Sequence, residues 1–296
     1  MGALLSKPVT EQTTHSGQSD QLIFASASMQ GWRNHMEDAE TALLSLEGAP
    51  GWAMFAVFDG HGGSRVSKYC GEALHLRVVS DPEWKAGNYE QAFKNGFLGT
   101  DQDILDSDDP LLANDPSGAT SVVVAINVDD HKLYCANAGD SRAVLSRGGT
   151  AVPLSEDHKP DNKEESARIT AAGGFVSLGR VNGSLALSRA IGDHAFKQNS
   201  SLPAEQQAVT ALPDVLALDV TPEDEFFVVA CDGIWDCMTS QQVIDFVRER
   251  IPQRATEEEL VNICSELMMK CLAPSPSISG TGCDNMTVVI VQILRD

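Results

Sequence analysis

The chain predicts an α+β protein: mostly antiparallel sheets with helices packed outside them. Three observations lead there. The β-type runs 120–128 and 132–137, and then 143–146 and 151–154, are joined by short polar turns, Asp129-Asp130-His131 and Arg147-Gly148-Gly149, which close hairpins. Helical segments come in pairs between runs of strands. The strand–helix–strand alternation of a doubly wound parallel sheet is missing. There is no internal repeat and no linker that separates two domains.

In chain order, residues 1–20 are polar and read as a flexible N-terminal arm, with a single folded domain over 21–296. Strands follow at 22–29, 41–46 and 52–58. Within 64–79, Val66, Tyr69, Cys70, Ala73 and Leu74 recur with the spacing of one helical face. A second helix at 88–105 turns Tyr89, Phe93, Phe97 and Ile104 to a core. After the two hairpins, Asn162 is placed to cap a short helix ending at Gly173-Gly174. Residues 175–207, rich in Gly, Ser, Asn and Arg, predict strand plus a long functional loop. Runs 226–230 and 286–294 are strongly β, while 240–251 and 257–272 are helical. The second of those helices opens on a capping box, Thr256 with Glu259, and carries the stripe Leu260, Ile263, Cys264, Leu267, Met268 and Cys271. Residues 274–282 read as a mobile loop.

Composition narrows the function. The 296 residues, 42% hydrophobic, are ample for a sizeable core. No apolar stretch reaches the roughly 18 residues a membrane helix needs, and the start lacks the pattern of a secretory signal. A soluble, intracellular protein is predicted. The seven cysteines (Cys70, Cys135, Cys231, Cys237, Cys264, Cys271 and Cys283) are odd in number and form no C-x-x-C pair. A reduced cytoplasmic or nuclear setting therefore fits better than a disulfide framework or a zinc site. The net charge of −21 argues against nucleic acid and anionic membranes as ligands. It also repels phosphate, so a phosphate-handling site would need local positive charge of the kind divalent ions supply.

Four aspartates end apolar runs far apart in sequence. Asp59 follows 52–58, Asp140 follows 133–139, Asp232 follows 226–231, and Asp284, with Asn285, precedes 286–294. If these strand ends share one rim, four carboxylates converge, and only cations or shared protons make that tolerable. Oxygen donors without paired His or Cys suit Mg²⁺ or Mn²⁺ better than Zn²⁺. Asp-Gly at 59–60 and 232–233 lets the chain turn sharply and exposes a carbonyl as a further ligand; singly, such a pair is only a turn signal. Two metals sharing a carboxylate make a hydroxide nucleophile from a bridging water at neutral pH, suited to in-line attack at phosphorus. In the cluster 31–38, Arg33 can hold phosphate oxygens through its planar fork. Glu37 and Asp38 can accept hydrogen bonds from metal-bound waters. On pattern alone the cluster reads equally as a solvated turn with a local salt bridge. His61, two residues past Asp59, suits a proton donor at physiological pH, or else a loop histidine bonded to backbone.

Taken together, these pieces resemble a family. Gly31-Trp32-Arg33 through Met36-Glu37-Asp38-Ala39, Phe58-Asp59-Gly60-His61-Gly62-Gly63 and Ala138-Gly139-Asp140-Ser141-Arg142 look like the metal-dependent type 2C serine/threonine protein phosphatases (the PPM family). So do Asp157-His158-Lys159-Pro160, the stretch from Arg180 to Asp193, Ala230-Cys231-Asp232-Gly233-Ile234-Trp235-Asp236 and Asp284-Asn285-Met286. The motifs fall in the family's order between about residues 22 and 294.

The resemblance implies a four-layer α/β/β/α sandwich, two mostly antiparallel sheets flanked by helices, with a dinuclear Mg²⁺ or Mn²⁺ site at one edge. By it, Asp59 bridges both ions, Asp232 and Asp284 ligate one, and the Gly60 carbonyl and a water held by Glu37 serve the other. Arg33 binds substrate phosphate and His61 is the general acid. Asp140, with Asp232, matches carboxylates that hold a weaker third ion in some members. Asp38, Asp193 and Asn285 stand behind the ligands, and Arg180 lies where the family has a variable flap. His35 departs from a position that is often acidic in animal relatives. The C-terminal helical module of such relatives is missing here or was removed. The start Met1-Gly2-Ala3-Leu4-Leu5-Ser6 reads either as a myristoylation signal on Gly2 or as an ordinary Met-Gly start; one acyl chain beside Lys7 gives only reversible membrane contact.

The expected function is hydrolysis of phosphoserine and phosphothreonine in proteins by a metal-activated hydroxide, with no phosphoenzyme. The expected partners are phosphoprotein substrates and kinases of a stress or signalling pathway, met as a monomer. A cysteine-dependent tyrosine phosphatase is excluded, because no cysteine sits in a C-x₅-R loop. Two alternatives remain: a catalytically inactive phosphatase-like scaffold that binds a signalling kinase, and a dinuclear phosphodiesterase, whose usual His-rich ligands are missing.

Overall fold

Strand Met286–Ile293 is buried along its whole length, and its residues divide by parity. Met286, Val288 and Ile290 join one core, while Val289, Val291 and Ile293 join another. Asp224–Ala230 divides in the same way, with Phe226 and Val228 on one side and Phe227 and Val229 on the other. A strand covered on both faces reads as a continuous apolar run, and its sheet must be an inner layer.

The structure, a computed structural model, describes residues 4–276 and 280–295. One sheet has the order Leu4–Gln18, Leu22–Arg33, Met286–Ile293, Asp224–Ala230, Arg142–Arg147, Thr150–Pro153. The other runs Asp214–Asp219, Lys132–Ala138, Ser121–Asn127, Ala53–Phe58, Ala39–Leu43. Every neighbouring pair in both sheets is antiparallel. The sheets face each other across a core that includes Phe24, Phe55 and Phe227; the Phe55 ring meets Phe24 tilted at 5.4 Å and Phe227 edge-on at 5.7 Å between centroids. Helices Ser240–Arg248 and Glu257–Cys271 cover the first sheet, and Arg65–Ser80 and Tyr89–Leu105 the second. This is the expected four-layer sandwich. Among the described residues no helix is long and apolar enough to cross a membrane.

Local chemistry explains the helix ends. Thr256 and Glu259 form the predicted capping box, and Thr239 with Gln242 forms a second. Asn162 does occupy the cap position of Lys163–Ala171, but its side chain caps nothing; it donates instead to the Asp157 carbonyl, 2.8 Å away.

Two expectations need correction, and one strand went unforeseen. Residues 4–18 are no flexible arm: they form a strand paired with Leu22–Arg33, so the domain begins before residue 21. Their side chains are mostly exposed, and the backbone ladder holds them, which a polar sequence does not advertise. Strand Asp214–Asp219 was not foreseen, because it too is a largely exposed edge. The 175–207 segment holds only two-residue strands and 3₁₀ turns around a small core of Ile169, Val181, Ala190, Ala208 and Val209. The expected loop at 274–282 lies partly outside the described residues, as does Gly2.

Candidate active site

The strand ends share one rim. Asp59 links Ala53–Phe58 to the short strand Gly60–His61, Asp140 follows Lys132–Ala138, Asp232 opens a helical turn after Asp224–Ala230, and Asp284 precedes Met286–Ile293. All four line a single cleft of about 500 Å³, together with Arg33, Glu37, Gly60, His61, Arg180 and Asn285. His35 also lines it, exposed at its mouth. Asp38 lies buried beneath.

The two Asp-Gly pairs owe their glycines to close approach rather than to a sharp turn. Neither Gly60 nor Gly233 has a positive φ. A Cβ on Gly60 would strike the Glu37 carbonyl, and one on Gly233 the Asn285 carbonyl. Each glycine thus lets one cleft-lining segment press against another. Asn285 completes the joint: its Oδ1 accepts from Glu37 N–H at 3.0 Å, and its Nδ2 donates to the carbonyls of Gln30 and His35 at 2.8 and 2.9 Å.

Burial and mutual repulsion dominate the electrostatics. The Asp59 carboxyl is pushed well above its ordinary range by desolvation, then by Asp38, Asp232, Asp140 and Asp284. Asp232 is pushed up in the same way, by burial and then by Asp140, Asp284 and Asp236. Burial raises Asp38 to about 7, although Thr287 Oγ1 donates to it at 2.7 Å. Its other oxygen is buried without a hydrogen-bond partner. Two of the aspartates are paired with cations: Asp284 with Arg33, and Asp140 with Lys159. So disposed, no three His, Cys, Asp or Glu groups among the described residues form a ready metal cage. The donor set nevertheless fits a hard divalent ion. It is all oxygen, and the Asp59 and Asp232 carboxylates, which repel each other, have no hydrogen-bond or ion-pair partner among the described residues.

His61 is held from behind. Its Nε2 lies 2.7 Å from Asp193 Oδ2. Gly118 pairs with His61 across the small sheet, and a Cβ there would run into both the Asp193 carboxylate and the His61 ring. Asp193 itself has φ 51°, an unusual conformation for a non-glycine residue. It is braced by its own N–H to the Ser117 carbonyl at 3.1 Å and by the Gly192 N–H to buried Asp101 at 2.7 Å. Arg180 stands exposed at the rim, its Nη1 donating to the Ser184 carbonyl at 2.6 Å.

Residues 23–277 match the sequence profile of protein phosphatase 2C. The chain belongs to the protein phosphatase 2C family. It is 52% identical, over all of its length and 79% of the relative, to protein phosphatase 2C homolog 2 of Schizosaccharomyces pombe. It is 50% identical to the homolog 2 of Hypocrea jecorina, covering 68% of that protein. A phosphatase of Toxoplasma gondii, known from a crystal structure, superposes with a TM-score of 0.78 at 26% identity over 96% of both chains. As a protein phosphatase 2C, the chain is a metal-dependent phosphoprotein phosphatase, a phosphoric monoester hydrolase acting on serine and threonine phosphates. Two members of its site had no role on sequence reading: Lys159, although its motif was visible, and Asp101, which no local pattern marks. Asp193 was expected behind the ligands, whereas the structure puts it on His61.

Proposed function

We propose that this phosphatase hydrolyses phosphoserine and phosphothreonine directly, by in-line attack of water, with two Mg²⁺ or Mn²⁺ ions in the cleft and a weaker third. Asp59 would be shared by the two ions, with Asp232 and Asp284 on one and the Gly60 carbonyl and a Glu37-held water on the other. Asp140, with Asp232, would hold the third. When bound, the ions offset the carboxylate charge, attract phosphate and make water a better nucleophile.

The protein's own groups supply the rest. Arg33, about a third exposed at the cleft, can leave Asp284 for two phosphate oxygens and fix the phosphoryl group by its fork. His61 donates to the leaving alkoxide. Burial alone would lower its pKa, but the hydrogen bond and charge of Asp193 outweigh that and raise it, so the imidazolium persists to higher pH. With Nε2 committed to Asp193, Nδ1 is the atom that gives up the proton. Asp38, Asp193 and Asn285 position these groups. We place the enzyme in the cytoplasm or nucleus, where its seven free thiols stay reduced.

The observation that carries this reading is the convergence of four aspartates, Arg33 and His61 on one cleft. Phosphate release from a phosphothreonine peptide, assayed with added Mn²⁺ and with EDTA, tests it.

A further inference from the structure

Behind the cleft, two thiols meet. Cys237 closes the turn that begins at Asp232; its Sγ lies 3.4 Å from the Gly233 carbonyl and 3.5 Å from the carbonyl of Cys271, the last residue of helix Glu257–Cys271. Gly282 approaches the same junction: a Cβ there would strike the Cys271 carbonyl. The neighbouring Cys271 first, and the Gly282 backbone after it, hold the Cys237 thiol below its ordinary range, while Cys271 is pushed up. Cys237 is half-buried and the other six cysteines are buried. A small polar oxidant therefore meets Cys237 first, with Cys271 in contact to resolve it.

We propose that Cys237 and Cys271 form a disulfide when hydrogen peroxide oxidises the protein, and that this bond suppresses the phosphatase. The Cys237 thiolate attacks one peroxide oxygen: an S–O bond forms, the O–O bond breaks, and the departing hydroxide takes up a proton and leaves as water. The Cys271 sulfur then displaces hydroxide from the Cys237 sulfenic acid and gives up its own proton, so that an S–S bond forms, the S–O bond breaks and a second water leaves. Two electrons pass from the thiols to peroxide.

The effect on activity rests on the function proposed above and follows from position. The Cys237 sulfur would leave the Gly233 carbonyl for Cys271. Gly233 presses on Asn285, next to Asp284, and Gly282 is tied by its carbonyl to Ala273 N–H at 2.9 Å. The segments bearing Asp232 and Asp284 thus both touch the thiol pair, and drawing the sulfurs together shifts one against the other.

The test treats the reduced, metal-free protein with hydrogen peroxide, maps its peptides without reductant by mass spectrometry, and then assays activity with Mn²⁺. The expected result is a linked pair of peptides containing Cys237 and Cys271, two hydrogens lighter than the reduced pair. Most of the activity is lost with it, and dithiothreitol restores both. Cys237→Ser and Cys271→Ser keep their activity through the same treatment. Sulfinic acid at Cys237 without a link, a link through another cysteine, or a 237–271 link with activity unchanged would overturn the proposal. The peptide map does not depend on catalysis, so a protein that is inactive before oxidation counts against the phosphatase mechanism alone.

Discussion

His61 Nε2 and Asp193 Oδ2 stand 2.7 Å apart although 132 residues separate them in the chain. The pair exists because Gly118 leaves room for it and because Asp101, on helix Tyr89–Leu105, fixes the Gly192 N–H just ahead of the αL turn at Asp193. A carboxylate in that position orients the imidazole and sustains its proton. Asp193→Asn is expected to slow hydrolysis of a phosphothreonine peptide about 100-fold, the lower end of what a general acid contributes. An activated aryl phosphate, whose leaving group needs no proton, should lose far less. Steady-state rates on the two substrates decide the matter: equal losses would remove the dyad from proton transfer.

Arg33 is the one cationic side chain expected to touch substrate phosphate. Arg33→Ala should raise KM for the phosphopeptide by about tenfold or more, in keeping with the loss of a hydrogen bond to a charged group. Saturation curves measure this. An unchanged KM would leave Arg33 as nothing more than the partner of Asp284.

Gly233→Ala tests the packing of the two ligand-bearing segments. The new methyl would press on the Asn285 carbonyl, with Met286 close by. Overpacking of this kind costs about 1–3 kcal/mol. Thermal unfolding should show a lower Tm, with activity falling further than stability alone requires. A variant with the parent's Tm and rate would contradict the close approach.

What could be read from the chain divides along physical lines. The runs 226–230 and 286–294 were plain because both faces of those strands are buried, and the Thr256–Glu259 box because capping is local chemistry. Leu4–Gln18 and Asp214–Asp219 were missed because edge strands are held by backbone hydrogen bonds that polar side chains do not reveal. The four aspartates stood out as strand ends. The roles of Asp193 and Asp101 depend on a positive φ and on contacts between distant segments, which no local pattern encodes. The glycines of the Asp-Gly pairs were legible as special, but for the wrong reason: clearance between backbones rather than freedom to turn.

Glu165 accepts from Arg189 at 2.7 and 3.0 Å and forms an ion pair with Arg168 at 2.8 Å, and Arg189 also reaches Asp214 at 2.8 Å. Burial alone would raise the Glu165 pKa, but Arg189 and Arg168 bring it from 4.5 down to about 2. A depressed carboxylate adds stability that is present above the unfolded value and is lost as pH falls through about 4.5 toward 2. Glu165→Gln leaves Arg189 short of charge and should cost about 3–5 kcal/mol at neutral pH. Urea unfolding of both proteins at neutral and acid pH checks the size and the sign. The gap between them should narrow in acid, and a gap that widens there would contradict the assignment.

The most direct measurement is phosphate release from a phosphothreonine peptide by the wild-type protein and by Asp232→Ala, each with added Mn²⁺ and with EDTA. Turnover should appear only for the wild type with metal and vanish on chelation. Turnover that survives EDTA, or none in the wild type with ample Mn²⁺, would contradict the reading of this aspartate-lined cleft as a metal-dependent phosphatase site.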